Sequence, residues 1–311
     1  MTARIADTHI ANTQMGVPRR MAARDDRQAE GIPRVQPATS ASPTHAGTAP
    51  RVEAADTLIR FEHVTKFFGE GERRVHVVDD VSFTARRGEF ISILGPSGCG
   101  KSTMMMLTSG LIPVSSGTIE IDRTRVTAPY TDLGIVFQQD LLMDWRRVLA
   151  NILVQPEFRG LRVKDYEKRA RELLNLVGLS GCEEKYPFEL SGGMRQRVAI
   201  CRALVHNPNL LLMDEPFGAL DALTRDQMNL DLQRIWYENK KTVLFVTHSI
   251  PEAVFLGDRV FVMAPSPTKI RESIEINLPR PRSLEVRESP EFSAHIHRIT
   301  QLFYQMGILR S

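Results

Sequence analysis

Cysteine is scarce. Cys99, Cys182 and Cys201 are scattered over 311 residues, and no two form a C-x-x-C pair. That spacing argues against a disulfide scaffold and a cysteine zinc site, and it fits a reducing compartment. Long apolar runs are missing too: none approaches the roughly 20 residues needed to span a bilayer. The N-terminus lacks the apolar stretch of a secretory signal. Charge of one sign is nearly absent as an excess, since 40 Lys and Arg stand against 37 Asp and Glu for a net +3. So small a surplus gives no argument for nucleic acid, and is compatible with anionic ligands or a membrane surface. There is no internal repeat. A hydrophobic content of 42% and a charged content of 25% are ordinary for a soluble globular chain.

Residues 1 to about 55 contain no lysine and show no sustained periodicity. They are rich in Ala, Thr, Pro and Arg, and segment 1–56 reads as a disordered extension. An organelle transit peptide is the alternative, although Asp25, Asp26 and Glu30 interrupt its basic character. Order is expected from Leu58, where Leu58-Ile59-Arg60-Phe61-Glu62-His63-Val64 alternates like a strand with one buried face. Further strand material at 75–78 and 81–84 flanks a charged tip at 69–74.

What the chain does contain centres on Gly95-Pro96-Ser97-Gly98-Cys99-Gly100-Lys101-Ser102-Thr103. This stretch fits the phosphate-loop template G-x-x-x-x-G-K-[ST] at every fixed position. A short apolar strand, Phe90-Ile91-Ser92-Ile93-Leu94, precedes it, and helix formers Met104-Met105-Met106-Leu107 follow. Glycines let successive N–H groups turn toward phosphate oxygens, and the helix adds its positive dipole end. Lys101 is expected to reach the β- and γ-phosphates, and Ser102 to ligate Mg²⁺. Cys99 reads as a small filler within the loop.

A second anchor is Leu210-Leu211-Leu212-Met213-Asp214-Glu215-Pro216. A wholly apolar strand of the buried parallel type delivers two carboxylates at its C-terminal end, where ligands bind in open α/β sheets. Asp214 is placed for the Mg²⁺ shell, and Glu215 to polarise the attacking water. The third stretch is Leu190-Ser191-Gly192-Gly193-Met194-Arg195-Gln196-Arg197, a loop that opens a helix. Helical spacing also marks 163–177 and 222–239, and apolar strands mark 134–137, 243–246 and 259–263. Strands alternating with helices indicate a mostly parallel α/β sheet.

Together these motifs resemble the ATP-binding-cassette (ABC) ATPases over about 57–275. The family signature reads LSGGQ, and here Met194 stands in place of the glutamine. The resemblance implies a P-loop NTPase cassette with a RecA-like parallel core. It adds an N-terminal antiparallel β subdomain and a helical signature subdomain at about 140–200, within a domain at 57–278. A tail with a helix follows at 279–311. It implies an adenine-stacking role for Phe68, with Phe67 as the neighbouring candidate. Gln138 matches the Q-loop glutamine that touches Mg²⁺ and water. Gly218-Ala219-Leu220-Asp221 matches the D loop, and His248 the switch histidine. The implied mechanism joins two copies head to tail, each ATP held by the phosphate loop of one and Ser191-Gly192-Gly193 of the other. Glu215 orients water, while Lys101, His248 and Mg²⁺ stabilise the transferring phosphoryl group.

Four uses of such a cassette are open: importer ATPase, exporter ATPase, soluble DNA-repair or translation factor, and GTPase. Asn239-Lys240-Lys241-Thr242 lacks the Asp of a guanine-reading motif. A second cassette, long coiled coil or zinc cysteines, expected of the soluble class, are absent from the sequence. The importer reading gains from Gln138-Gln139-Asp140-Leu141-Leu142-Met143-Asp144-Trp145-Arg146-Arg147-Val148-Leu149-Ala150-Asn151. It is similar to the Leu-Leu-Pro-Trp-Arg-x-Val-x-x-Asn pattern of nitrate, sulfonate and taurine importer ATPases, with Met143-Asp144 replacing the usual proline neighbourhood. In that family the region receives a permease, so Trp145 is expected to be partly exposed; a core position is the alternative. The expected location is the cytoplasmic face of the inner membrane. A periplasmic or extracellular solute-binding protein is an indirect partner, and no nucleic acid is expected. Nitrate, sulfonates, taurine and thiamine-precursor pyrimidines stay open as solutes.

Overall fold

The computed structural model describes residues 56–309 apart from Ala219. The extension expected at 1–55 lies outside the described residues. In chain order the strands are β1 (Thr57–Phe68), β2 (Val75–Arg86), β3 (Phe90–Leu94), β4 (Ser116–Ile121), β5 (Thr124–Arg125) and β6 (Leu133–Val136). They continue with β7 (Leu210–Asp214), β8 (Thr242–Thr247), β9 (Arg259–Met263) and β10 (Ile270–Glu275). The helices are α1 (Lys101–Thr108), α2 (Val148–Ile152), α3 (Val154–Phe158) and α4 (Lys164–Leu176). They continue with α5 (Gly192–Leu204), α6 (Ala222–Asn239), α7 (Ile250–Leu256) and α8 (Pro290–Gln305).

Two sheets carry the fold. One is antiparallel, in the order β2-β1-β4-β5. The other runs β10-β9-β3-β8-β7-β6, parallel throughout except for β10. Strands β3, β7 and β8 are apolar almost without interruption because both faces of this sheet are covered. Helices α1 and α7 contact the central strands, while α5 packs on the edge strand β6. At Gly134 in β6 an added Cβ would stand 2.3 Å from the Ala203 carbonyl oxygen, so only glycine lets α5 approach that closely.

The two strand segments expected at 75–78 and 81–84 are one strand. Its irregularity is absorbed where His63 and Asp80, both with a φ of 50°, face each other across a register shift of β1 and β2. The His63 ring nitrogen Nδ1 lies 2.8 Å from Asp80 Oδ1. The charged tip is a short 3₁₀ turn at Gly71–Arg73. Strand β10 was not expected. It is a polar edge strand in which Ile274 alone is fully buried, so its sequence carries little apolar signal.

The C-terminal segment packs on the body of the domain. Arg282, only 2% exposed, donates to the carbonyls of Val254, Phe255, Gly257, Ile276 and Leu278. Its own backbone pairs with the side chain of Gln233 in both directions, at 2.8 and 2.7 Å. Phe292, Ile299, Leu302 and Phe303 of α8 join the same apolar core as α6 and α7.

Candidate active site

Four adjacent parallel strands, β3, β8, β7 and β6, end on the same edge of the sheet. The residues that follow them are those singled out in the sequence: the phosphate loop, His248, Glu215 and Gln138. Strand order therefore converges what the chain separates by more than a hundred residues, at the carboxyl edge where α/β sheets bind ligands.

The loop after β3 turns through Gly98 and Gly100, whose φ values of 75° and 109° favour glycine. Gly100 stands at the N-cap of α1, so the unpaired N–H groups of the first helical turn point into the loop. Pro96 and Gly100 line the loop, and Ser97, Gly98 and Ser102 are open to solvent. Thr103 is buried on the inner side of α1. Cys99 is 2% exposed and packs in the apolar cluster beneath β3, as a filler does.

Lys101 is 4% exposed, and its Nζ donates to the Gly95 and Pro96 carbonyls, both at 3.0 Å. The same nitrogen lies 3.4 Å from Glu215 Oε1. Glu215 Oε2 lies 3.1 Å from His248 Nδ1. A carboxylate only accepts, so the His248 tautomer with a proton on Nδ1 donates this bond. Glu215 is thus held between a buried ammonium and an imidazole. Its backbone adopts a φ of 44°, unusual for a residue with a side chain, and its N–H donates to the Val246 carbonyl at 2.9 Å. Through that bond the end of β7 is tied to β8.

Asp214 stands one residue earlier. Burial raises its pKa, and the Ser102 hydroxyl and the Lys101 charge oppose that rise while Glu215 adds to it. Gln138 is exposed just beyond β6, and its Nε2 is 3.4 Å from where a Cβ on Gly218 would sit.

The remaining expected residues lie on other elements. Ser191 caps α5, accepting from the Met194 N–H at 3.3 Å, with Gly192 and Gly193 forming the first turn. Asp221 caps α6, accepting from the Thr224 N–H at 3.0 Å, and the Thr224 hydrogen bonds lower its pKa. The first turns of the two helices lie close: a Cβ on Gly193 would lie 2.7 Å from Thr224 Cγ2. Phe67 has its ring stacked on His76 at 4.2 Å and covered by Arg74; Phe68 is 38% exposed, with the Lys66 Nζ 5.0 Å from its ring centroid.

The structure also brings in residues that the sequence reading passed over. Arg195 on α5 pairs with Asp140 at 2.8 Å and donates to the Leu190 carbonyl at 3.1 Å. Arg202 donates to the Asp140 and Leu141 carbonyls, both at 2.7 Å, and Gln196 to the Phe137 carbonyl at 3.3 Å. One face of the signature helix thus clamps the segment after Gln138. Buried Asn151 braces its far end, bonding both the N–H and the carbonyl of Met143 and the Arg146 carbonyl. Trp145, on the turn so held, is 76% exposed and not a core residue.

Residues 78–218 match the family described as ABC transporter. Over 261 residues the chain is 43% identical to the taurine import ATP-binding protein TauB of Rhizobium johnstonii, a match covering 82% of this chain and 99% of that protein. The chain belongs to the ABC transporter ATP-binding proteins. It is 41% identical to the aliphatic sulfonates import ATP-binding protein SsuB of Bacillus cereus, over 81% of this chain and 98% of that one. It also resembles a solved ABC cassette, the dimeric post-hydrolysis state of MJ0796 bound to ADP and Pi. That likeness has a TM-score of 0.62 and 31% identity, covering 71% of this chain and all of the other. The fold is that of an ABC P-loop NTPase cassette, and the protein is an ATP-binding, ATP-hydrolysing subunit of an ABC transport system.

Proposed function

We propose that this ABC cassette powers import of a small sulfonate, taurine being the leading candidate, through separate permease subunits. The observation that carries the reading is the exposed Trp145 turn, braced by Asn151 and clamped by Arg195 and Arg202. Beside it opens a cleft of about 390 Å³ lined by Leu133, Phe137, Leu141, Met143, Val154 and Phe158. With Trp145, Phe158 and Leu141 more than half exposed, this is an apolar surface of the kind a permease helix covers. Relatives named for taurine and aliphatic sulfonate import support the solute class. Among the described residues no helix is long and apolar enough to cross a membrane. That accords with a subunit held peripherally on the cytoplasmic face by its permease.

The chain's own residues supply the following chemistry. The phosphate loop and the first turn of α1 bind the nucleotide phosphates through backbone N–H groups, and Lys101 adds a buried positive charge. Phe68, 38% exposed with the Lys66 ammonium 5.0 Å from its ring centroid, is the ring for adenine. Glu215, aimed by Lys101 and His248, orients the attacking water and accepts its proton. The Nδ1–H that His248 gives to Glu215 turns to the transferring phosphoryl group when nucleotide is bound.

The Ser102 hydroxyl, the Asp214 carboxylate and the Gln138 amide oxygen form a hard oxygen donor set that suits Mg²⁺. Burial that raises the Asp214 pKa is a cost that an adjacent cation offsets, so the residues fit the ion. When bound with ATP, Mg²⁺ neutralises the β and γ oxygens. Ser191, Gly192, Gly193 and Asp221 complete the site of a second copy in a head-to-tail dimer; the dimeric cassettes among similar structures support this.

The test is uptake. Deleting this gene in its own cell is expected to abolish accumulation of labelled taurine or a short alkanesulfonate. Nitrate and pyrimidine uptake should be unchanged. Loss of one of the latter with intact sulfonate uptake would contradict the solute assignment.

A further inference from the structure

Behind His248 lies a buried acid that the chemistry above does not use. Glu252, in the first turn of α7, is 6% exposed. Its Oε2 accepts a 2.6 Å hydrogen bond from the Thr247 hydroxyl. That hydroxyl oxygen in turn accepts from the Ser249 N–H at 3.0 Å. Both neighbours of His248 in the chain are thereby fixed through one side chain. On its other side, Glu252 Oε1 faces Arg225 Nε at 3.5 Å. Arg225, near the start of α6, donates from Nη2 to the carbonyl of Leu220 in the D loop at 2.9 Å. A polar relay therefore runs from Leu220 through Arg225 and Glu252 to Thr247, and ends beside the switch histidine.

Burying a carboxylate this way is expensive, and an apolar residue of similar size would cost less. Burial pushes the Glu252 carboxyl up, with the Thr247 hydroxyl and the charges of Arg225, His248 and Arg287 opposing it. The relay also has slack. Arg225 Nε is buried without a directional hydrogen bond, and its 3.5 Å separation exceeds the roughly 2.7–2.9 Å of a charge-assisted one.

We propose that Arg225 and Glu252 are positioning residues for hydrolysis, transmitting the seating of the D loop on a second copy to the orientation of His248. The proposal rests on the site reading given above. It adds an intrasubunit route by which contact between copies is felt at the γ-phosphate end of the site. Neither residue touches nucleotide, so binding is expected to be spared and turnover lost.

Steady-state hydrolysis and fluorescent-nucleotide binding of the full chain test it, at protein concentrations where specific activity has reached its plateau. Glu252→Gln keeps an acceptor for Thr247 and removes the charge that Arg225 meets. Arg225→Met removes the other end. Each is expected to lower kcat fivefold or more, with KM and nucleotide Kd within twofold of wild type. The double variant should be no worse than the poorer single one, and Arg225→Lys should recover part of kcat. Arg225, whose side chain is 31% exposed, carries the test if Glu252→Gln does not fold. A smaller fall in kcat, losses that multiply in the double variant, or a rise in KM at constant kcat would overturn the proposal. A wild-type chain that hydrolyses no ATP would overturn the site reading, and this inference with it.

Discussion

Glu215 and His248 meet at 3.1 Å although 33 residues separate them in the chain. The contact exists because β7 and β8 are parallel neighbours and each presents its next residue at the same edge. The opposite oxygen of Glu215 lies 3.4 Å from Lys101, so three elements fix one carboxylate. His248→Ala removes a donor aimed at developing charge, and kcat is expected to fall about 10²-fold with ATP affinity little changed. Single-turnover hydrolysis checks this; an unchanged chemical step would remove His248 from the site.

Lys101 is buried and paired on both sides, so its loss acts on binding first. Lys101→Ala deletes charge-assisted bonds worth roughly 1.5–3 kcal/mol each, and should weaken ATP affinity about 10- to 100-fold. Equilibrium nucleotide binding measures it. Unchanged affinity would contradict the assignment of the phosphate loop.

Trp145 is exposed and Asn151 is buried, and they should fail differently. Trp145→Ala is expected to leave the cassette's own ATP turnover within about twofold. It should weaken binding to the solubilised permease by roughly 2 kcal/mol or more, the scale of an aromatic interface anchor. Asn151→Ala leaves half-buried polar groups of Met143 and Arg146 without their partner, and should lower folding stability by about 1–3 kcal/mol.

Arg282 holds the C-terminal segment by five carbonyl contacts. Arg282→Met leaves those oxygens without their donor in a buried place, and is expected to cost about 3–5 kcal/mol in urea unfolding. Arg282→Lys should recover only part, because a lysine ammonium has three donors and no planar fork.

Much of this site was legible in the sequence because its motifs are local. The phosphate loop is one turn between a strand and a helix, and 210–213 is a wholly apolar run that could only be buried. The helix at 222–239 followed from its spacing. Other features were hidden because their partners are distant. Arg195 reads as a surface charge on a helix until Asp140, 55 residues earlier, is seen beside it. Arg282 sits in a Pro- and Arg-rich stretch with no apolar pattern, so its burial could not be read there. The short helices α2 and α3 and the polar strand β10 are set by packing, not by propensity. The covering of Phe67 by His76 and Arg74, and of Phe68 by Lys66, could not be read from the sequence.

The central claim is that Glu215 drives hydrolysis in a site completed by a second copy. Glu215→Gln keeps the shape of the side chain and removes its basicity. Analytical ultracentrifugation of this variant with Mg²⁺ and ATP, alongside its hydrolysis rate, tests both halves of the claim. The account predicts a dimer that retains ATP and a turnover reduced at least about 10²-fold. A variant that stays monomeric with ATP bound, or that hydrolyses at the wild-type rate, would contradict it.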